Sequence, residues 1–189
     1  MVKQIHRCSW ANTENQLLKD YHDQEWGRPC HDSQKLFELL SLEIMQAGLS
    51  WQTILNKRAA FNQAFDHFDY RRVRKLMPKL PELLTNAAII RNRRKLIAII
   101  NNAQVISRLA DEAQTFDNYI WRFVDNVPIR HHYQSHDEIP ATIPLAKTIS
   151  KQMKNDGFSF VGPVVIYSFM QAAGIVNDHE TTCFLYRQS

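Results

Sequence analysis

Hydrophobic residues recur along most of this chain at intervals of three and four positions, which is the period of an α-helix. The clearest segment has its apolar residues at Leu36, Phe37, Leu39, Leu40, Ile44 and Ala47. Asp32 or Ser33 can cap its start, and Gly48 is placed to end it. Ser50 can cap a second helix, whose inner side carries Trp51, Ile54, Leu55, Phe61 and Phe65. Alternation with a period of two is hard to find, so the pattern predicts an all-α fold.

Prolines and glycines predict where the remaining helices begin and end. Pro78 stops a short helix, Pro81 and Pro144 suit first turns, and Gly157 and Gly174 close two later helices. The expected helices cover residues 70–77, 82–86, 96–109, 116–123, 144–157 and 162–173. Residues 129–141 are polar and rich in histidine, which predicts a long loop. No linker is obvious, so we expect residues 1–189 to form a single helical domain of two lobes.

The composition narrows the class of protein. The 44% hydrophobic and 22% charged residues are ordinary for a soluble globular chain, and no stretch is apolar enough to suggest a membrane partner. Residues 1–10 lack the apolar segment of a signal peptide, so we expect a cytoplasmic location. Three widely spaced cysteines make no disulfide framework. The net charge of +4 is compatible with nucleic acid without requiring it.

Glu43 lies on the apolar face of the predicted helix that contains Leu36, Leu39 and Leu40. Burying an unpaired carboxylate is costly, so such a residue is usually paired, bound to a metal or functional. Trp51 follows across a tight turn, and an aromatic plane beside a carboxylate is what an unstacked purine needs. The alternatives are an acid at the edge of the apolar stripe that reaches solvent or bonds a lysine, and a tryptophan packed in the core.

Residues 83–96 combine a short helix, a brief apolar turn and a second helix with a basic start. The N–H groups of the turn and of the first helical turn can face a phosphate, and the basic side chains add charge. These side chains are Arg91, Arg93, Arg94 and Lys95. The pattern predicts a helix-hairpin-helix DNA-binding element, with an ordinary helical hairpin and a solvated basic face as the alternative.

Two cysteines and two histidines lie near opposite ends of the chain, at Cys8 and His22 and at His179 and Cys183. His179 and Cys183 are spaced i and i+4, so a helix there would place both side chains on one face. The set satisfies tetrahedral zinc with no open position. The spacing is not that of a zinc finger, however, and two free thiols with two surface histidines are the alternative.

Taken together, these segments resemble the 3-methyladenine DNA glycosylase I family. Matching blocks run almost end to end in family order, at residues 7–10, 21–27, 35–38, 42–43, 46–51, 88–95 and 158–179, with Cys183. The resemblance implies an all-α helix-hairpin-helix glycosylase fold. It implies a structural Zn²⁺ that joins the N- and C-terminal segments, held by Cys8, His22, His179 and Cys183. It also implies a pocket for a flipped base, formed by Tyr21, Trp51, Trp10 and Glu43.

The activity that the resemblance implies is hydrolysis of the N-glycosidic bond of 3-methyladenine in double-stranded DNA with alkylated bases, which leaves an abasic site. N3-methylation makes the base cationic, so it departs neutral and needs little acid catalysis. Glu43 is the expected catalytic residue, because its carboxylate accepts hydrogen bonds from the exocyclic amine and attracts the cation. Trp51 and Trp10 add stacking and cation–π contact. No lysine suits Schiff-base chemistry in a recognised position, so we do not expect strand cleavage. We expect no obligatory protein partner.

DNA contacts are expected at the turn after Glu43 and at the hairpin. Leu49, beside Gly48, is predicted to wedge into the gap left by the extruded nucleotide, with burial in the core as the alternative. The hairpin contacts are predicted at Ile90, Arg91, Arg93, Arg94 and Lys95. Ala88 stands where relatives often carry glycine, and a positive φ there would strain it. A metal site in the polar loop at His131, His132, His136 and Asp137 is conceivable, but their crowding favours solvated side chains.

Two other functions share these features. A zinc-stabilised DNA-binding module without catalysis has the same fold, zinc and hairpin, but it has no need of a carboxylate inside an aromatic cavity. A related glycosylase acting on a different alkylated purine differs only in the pocket, because a wider substrate range requires a shallower cavity.

Overall fold

The computed structural model describes residues 5–187, and this part of the chain is helical with one short pair of strands. Its helices are α1 (Gln16–Gln24), α2 (Ser33–Gln46), α3 (Trp51–Ala64), α4 (Tyr70–Val73), α5 (Leu80–Thr85), α6 (Arg93–Asp111), α7 (Phe116–Trp121), α8 (Pro144–Asn155) and α9 (Pro163–Ala172). Its strands are β1 (Ile129–Arg130) and β2 (Val176–Asn177), which pair in parallel. Short 3-10 turns cover Ser9–Ala11, Asp66–Phe68, Met77–Lys79, Arg122–Val124 and His136–Glu138. The prediction of an all-α fold is confirmed.

Helix caps occur where the sequence signals placed them. The side chains of Asp32 and Ser50 accept hydrogen bonds from backbone N–H groups in the first turns of α2 and α3. Gly48 follows the last residues of α2 with a φ of +81°, a left-handed conformation that glycine adopts without strain. The chain therefore leaves α2 and enters α3 through a tight turn at 47–50.

Several predicted boundaries are wrong, because proline geometry and long-range contacts decide them. The helix expected over 70–77 ends at Val73, and a separate 3-10 turn begins at Met77, just before Pro78. The loop expected over 129–141 contains β1, whose pairing with β2 joins residues far apart in the sequence. Such pairing leaves no local periodic signal.

The central helix of the fold is α2. Every residue from Leu36 to Met45 is buried, and the helix packs against α3, α6, α7 and α9. A second, smaller hydrophobic cluster lies where the two ends of the chain meet, and it contains Cys8, Tyr21, Trp26, Leu55, Cys183 and Leu185. Trp51 packs against both clusters. Glu43 on α2 and Tyr21 in the second cluster line one cavity. Among residues 5–187, no helix has the length and apolarity needed to cross a membrane.

Arg58 of α3 ties together α2 and the end of α1. Its guanidinium donates to both carboxylate oxygens of Glu25 at 2.8 and 2.7 Å and to Glu38 at 2.8 Å. Lys35 adds an ion pair with Glu38 at 2.8 Å. Burial raises the pKa of Glu38, but hydrogen bonds and charge from Arg58 and Lys35 outweigh it and lower that pKa to about 2. These contacts hold α2, α3 and the end of α1 together.

Replacing Arg58 with methionine is expected to lower the free energy of unfolding by about 3 kcal/mol, because the two carboxylates lose their shared partner. The stability that the ionised Glu38 contributes is fully present above its ordinary pKa of 4.5 and is lost as pH falls towards 2. The difference in unfolding free energy between wild type and variant therefore becomes smaller in acid. Urea unfolding at pH 7 and pH 3 measures it. The control is Arg72→Met, which changes an exposed arginine. Equal deficits at both pH values would contradict this account.

Candidate active site

A cavity of about 400 Å³ opens beside the middle of α2, a volume within the range of small-molecule sites. Side chains from four parts of the fold line it: the N-terminal 3-10 turn, α1 to α3, the loop before α8, and α9. Its polar residues include Glu43, Gln46, Tyr167, Ser168 and Gln171. The cavity therefore combines an acid, amides and hydroxyls within one concave surface.

Four aromatic rings form one side of the cavity. The ring of Trp10 lies 5.2 Å from that of Trp26 at an interplanar angle of 80° and 6.3 Å from that of Tyr21. Tyr21 in turn lies 5.0 Å from Trp51 at 48°. Distances of this size indicate direct aromatic packing. The wall offers ring faces and edges to a flat ligand, and such faces attract a cation.

Glu43 is an unpaired carboxyl group in this cavity. It is 5% exposed, and no hydrogen bond or ion pair joins its carboxyl group to another residue within 5–187. Burial raises its pKa to about 8. The pKa of Tyr21 is raised by its own burial and by the charge of Glu43. The alternative of an acid that reaches solvent is therefore wrong, and the carboxyl group is available to a ligand.

Trp51 combines the two roles that the sequence left open. It packs against both hydrophobic clusters, and it also lines the cavity. Its indole Nε1 is buried without a hydrogen-bond partner among the described residues. The sequence-predicted set of Trp10, Tyr21, Glu43 and Trp51 thus meets in one cavity.

Sequence reasoning missed a polar group on the α9 side of the cavity. The buried carboxylate of Asp178 accepts hydrogen bonds from the Tyr167 hydroxyl at 2.5 Å and from Gln171 Nε2 at 2.7 Å. Its other oxygen accepts from His131 Nδ1 at 2.6 Å. Tyr167 and Gln171 lie four residues apart on a largely apolar helix, which was the available signal. Trp26 and Gln46 were missed as well, although Gln46 lies three residues after Glu43 on the same helical face.

A compact group of four potential metal ligands lies beside the aromatic wall. The donor atoms of Cys8, His22, His179 and Cys183 all lie within 4.8 Å of one another, and all four residues are buried. Cys8 Sγ lies 3.4 Å from His179 Nδ1, and Cys183 Sγ lies 3.5 Å from His22 Nε2. The alternative of surface histidines is wrong. The segment from His179 to Cys183 is not the helix that the spacing suggested, since turns bring the two residues together.

Neighbouring groups orient these side chains. His22 Nδ1 donates to Asp23 at 2.8 Å, and Arg7 holds the same carboxylate. The backbone N–H of Glu180 donates to Cys8 Sγ at 3.4 Å. A carboxylate behind a histidine and an N–H towards a thiolate are the supporting contacts usual in metal sites. Gly27 leaves room for the ring of His179, because a Cβ at that glycine would lie 2.8 Å from Nε2.

The predicted DNA-contacting residues lie in the turn after α2, in the connection between α5 and α6, and in the first turn of α6. Leu49 is 40% exposed, so its burial in the core is excluded. A Cβ on Gly48 would meet no atom within 4 Å, so the backbone faces open space there. The connection between α5 and α6 borders the same groove as Leu49. The predicted residues of that hairpin are exposed at Arg91, Arg93 and Arg94 and half-buried at Ile90.

The structure corrects the prediction for Lys95. It is 4% exposed, and its ammonium donates to the backbone carbonyls of Met45 and Ala47, so it has no access to a phosphate. The strain expected at Ala88 is also absent. Ala88 is not among the residues with positive φ, and its N–H donates to the Asn86 side chain at 3.0 Å.

Within residues 5–187, the side chains of the histidine-rich loop do not come together as a group of potential metal ligands, whereas those of the Cys/His cluster do. His131 instead binds Asp178, and His132 binds the hydroxyl of Tyr186.

Comparison with known proteins agrees with this arrangement. A profile for methyladenine glycosylase matches residues 10–186. A DNA-3-methyladenine glycosylase of Haemophilus influenzae is 40% identical over 178 residues, which is 94% of this chain and 96% of the relative. A crystal structure of 3-methyladenine DNA glycosylase I superimposes with a TM-score of 0.91 at 43% identity, covering 95% of this chain and 98% of that one. A variant of such an enzyme in complex with 3-methyladenine has a TM-score of 0.89 at 35% identity, with 94% and 96% covered. The chain therefore belongs to the methyladenine glycosylase family.

Proposed function

We propose that this protein is a DNA-3-methyladenine glycosylase, which excises the cationic base from alkylated double-stranded DNA and leaves an abasic site. The observation that carries the proposal is the unpaired, buried carboxyl group of Glu43 beside the aromatic wall. The relatives named above carry that activity in their names. Cys8, Cys30 and Cys183 form no disulfide, which is consistent with a cytoplasmic location, where thiols stay reduced.

Charge supplies the selectivity in this mechanism. In the free enzyme burial favours the neutral acid form of Glu43, with a pKa of about 8. A cationic 3-methyladenine lowers that pKa, so the carboxyl group loses its proton and forms an ion pair with the base. Neutral adenine would leave the carboxyl group protonated. The carboxylate accepts hydrogen bonds from the exocyclic amine of the base, and the rings of Trp10 and Trp51 attract the same cation. Intact adenine therefore gains much less binding energy.

Bond cleavage follows from the same charge. The electrons of the glycosidic bond neutralise the positive base as it leaves, and the sugar becomes an oxocarbenium ion. Water adds to that ion and releases a proton to the solvent. No protein nucleophile is required. None of the described residues that line the cavity is a lysine, which supports hydrolysis without the Schiff base that strand cleavage needs. We accordingly propose a monofunctional glycosylase.

Base extrusion is assigned to the two exposed loops. The hairpin between α5 and α6 binds the phosphate backbone through its N–H groups and through Arg91, Arg93 and Arg94. Leu49 then fills the gap in the base stack while the damaged base occupies the cavity. Exposure of an apolar leucine next to a glycine with open space in front supports this arrangement.

Replacing Leu49 with alanine is expected to lower kcat/KM on methylated duplex DNA about tenfold, because the extruded state loses the side chain that fills the gap. The affinity for free 3-methyladenine is expected to stay the same. Steady-state excision and quenching of tryptophan fluorescence measure the two quantities. Leu17→Ala is the matched control, since Leu17 is a leucine of α1 with 47% exposure. Equal losses in the two variants would contradict the role of Leu49.

The Cys/His group is proposed to hold a structural Zn²⁺. Two thiolates and two imidazoles suit tetrahedral zinc, whose ligand atoms at normal bond lengths are about 3.5 Å apart. The 3.4, 3.5 and 3.8 Å separations between sulfur and nitrogen atoms fit that geometry. When bound, the ion neutralises the thiolates and fastens the two ends of the chain beside Trp10 and Tyr21.

The deciding experiment is to incubate the purified protein with methylated duplex DNA and to identify the released bases by chromatography. We expect free 3-methyladenine, with strand breaks appearing only after alkali. Release of a different alkylated purine in its place would assign another substrate. No release by a folded protein that still binds the DNA would refute the enzyme and indicate a non-catalytic damage binder.

A further inference from the structure

Lys95 is a buried lysine that joins the hairpin to the end of α2. Its Nζ donates to the carbonyl oxygens of Met45 at 2.8 Å and Ala47 at 2.7 Å. Its own backbone N–H donates to the Asn92 side chain, which caps α6. The residue therefore belongs to the first turn of the hairpin's second helix, yet its ammonium group binds carbonyl groups inside the protein.

The two carbonyl groups are those that most need a cation. They belong to the last turn of α2 and to its C-cap residue, where carbonyls have no partner within the helix and carry the negative end of the helix dipole. The carbonyl between these two, that of Gln46, accepts from the N–H of Leu49 at 2.6 Å. The end of α2 and the turn that presents Leu49 are consequently closed by one backbone hydrogen bond and by the Lys95 ammonium.

The hairpin is held from a second side as well. Lys57 of α3 donates to the carbonyl of Ala88 at 2.9 Å and so fixes the connection between α5 and α6. Leu49, Lys57, Ile90 and Arg91 border one groove. The two DNA-facing loops thus form one assembly, in which Lys95 makes the direct link from the hairpin to the Leu49 turn.

We propose that Lys95 is a positioning residue, which holds the Gly48–Leu49 turn in register with the hairpin so that backbone binding at the hairpin places Leu49 for base extrusion. The inference rests on the proposed glycosylase function. It assigns Lys95 no contact with DNA or with the base. The expected consequence is a defect in extrusion, with the base pocket itself unaffected.

The test is a double-mutant cycle between Lys95→Met and Leu49→Ala. Methionine matches the apolar stem of lysine as far as Cε, but it lacks the ammonium group and cannot donate to the carbonyls. We expect Lys95→Met to slow single-turnover excision from methylated duplex DNA about tenfold. In the Leu49→Ala background, the same change is expected to slow excision by less than about twofold, since the leucine it positions is already gone. The affinity for free 3-methyladenine is expected to match that of the wild type.

Controls separate this role from loss of folding and from loss of charge. Lys151→Met removes an exposed lysine from α8 and is expected to leave all rates unchanged. If Lys95→Met does not fold, Lys95→Gln keeps one donor group and is expected to show a smaller, equally Leu49-dependent defect. Independent effects of Lys95 and Leu49, or a matching loss of affinity for the free base, overturn the proposal. If the wild type does not excise 3-methyladenine in the same assay, the proposed function itself is refuted.

Discussion

Replacing Glu43 with glutamine is expected to slow the release of 3-methyladenine by roughly a hundredfold or more, a loss typical of removing one preorganised charge from an active site. The amide still fills the space and still accepts a hydrogen bond from the exocyclic amine. It cannot attract the cationic base. Single-turnover excision from methylated duplex DNA measures the loss, and Glu112→Gln serves as the control because Glu112 is exposed. A Glu43→Gln enzyme with the full excision rate would contradict the role of the carboxylate.

The pH dependence of the wild-type enzyme follows from the same group. Burial raises the pKa of Glu43 to about 8 in the free protein, and the ionised form is the one that pairs with the base. Because kcat/KM reports ionisations of the free enzyme, it should rise with pH and level off above about 8. In Glu43→Gln the residual kcat/KM should lack this rise. A profile flat between pH 6 and pH 9 would mean that Glu43 is already ionised before the base binds.

Glu43→Gln is also expected to stabilise the folded protein at alkaline pH. A carboxyl group whose pKa rises from 4.5 to about 8 on folding holds its proton more tightly in the folded state. The wild type therefore loses stability as pH rises from 4.5 to 8, by an amount on the order of 5 kcal/mol at most. Glutamine removes this loss. Urea unfolding should show similar stabilities near pH 4.5 and a more stable variant at pH 9, whereas a gap independent of pH would point to altered packing.

The central helix shows what local pattern can predict. The apolar spacing around Leu36, Leu39 and Leu40 places Glu43 on a buried face, and the caps at Asp32 and Ser50 fix the ends of two helices. These features depend on neighbours within a few residues, and the structure agrees with them. Pairing Glu43 with Trp51 across the Gly48 turn is equally local. The carboxylate and one ring of the aromatic wall, that of Trp51, could therefore be predicted from the sequence.

The rest of the site depends on contacts between distant segments. Tyr167 and Gln171 owe their orientation to Asp178 beyond the end of α9, and Asp178 also binds His131 in the loop that follows β1. Lys95 shows the limit of a charge pattern, because a basic run predicts a phosphate contact for each member. Burial of Lys95 against the end of α2 is decided by helix packing, which charge spacing does not encode. The prediction that the four Cys and His side chains meet came from the family resemblance, since periodicity carries no information on contacts between the two ends of the chain.

Loss of the proposed metal is expected to have the second large effect. The purified protein should contain one Zn²⁺ per chain, and Cys183→Ala should lose it and lower the Tm by roughly 10 °C or more. A bound ion would join Cys8 to Cys183, so its binding free energy would add to the stability of the fold. Elemental analysis and scanning calorimetry measure the two quantities. Cys30→Ala is the matched control, because Cys30 is a half-buried cysteine outside the group.

We expect the rate of excision to fall when zinc is lost, because the proposed metal ligands contact residues that line the base pocket. The ring of Trp10 packs 5.3 Å from that of His22, and Tyr21 precedes His22 in α1. When the ends of the chain separate, two walls of the base pocket lose their support while Glu43 stays fixed on the central helix. We therefore expect Cys183→Ala to weaken binding of free 3-methyladenine, which Leu49→Ala leaves unchanged. A zinc-free variant with the wild-type Tm and base affinity would show that hydrogen bonds and packing hold the ends without the ion.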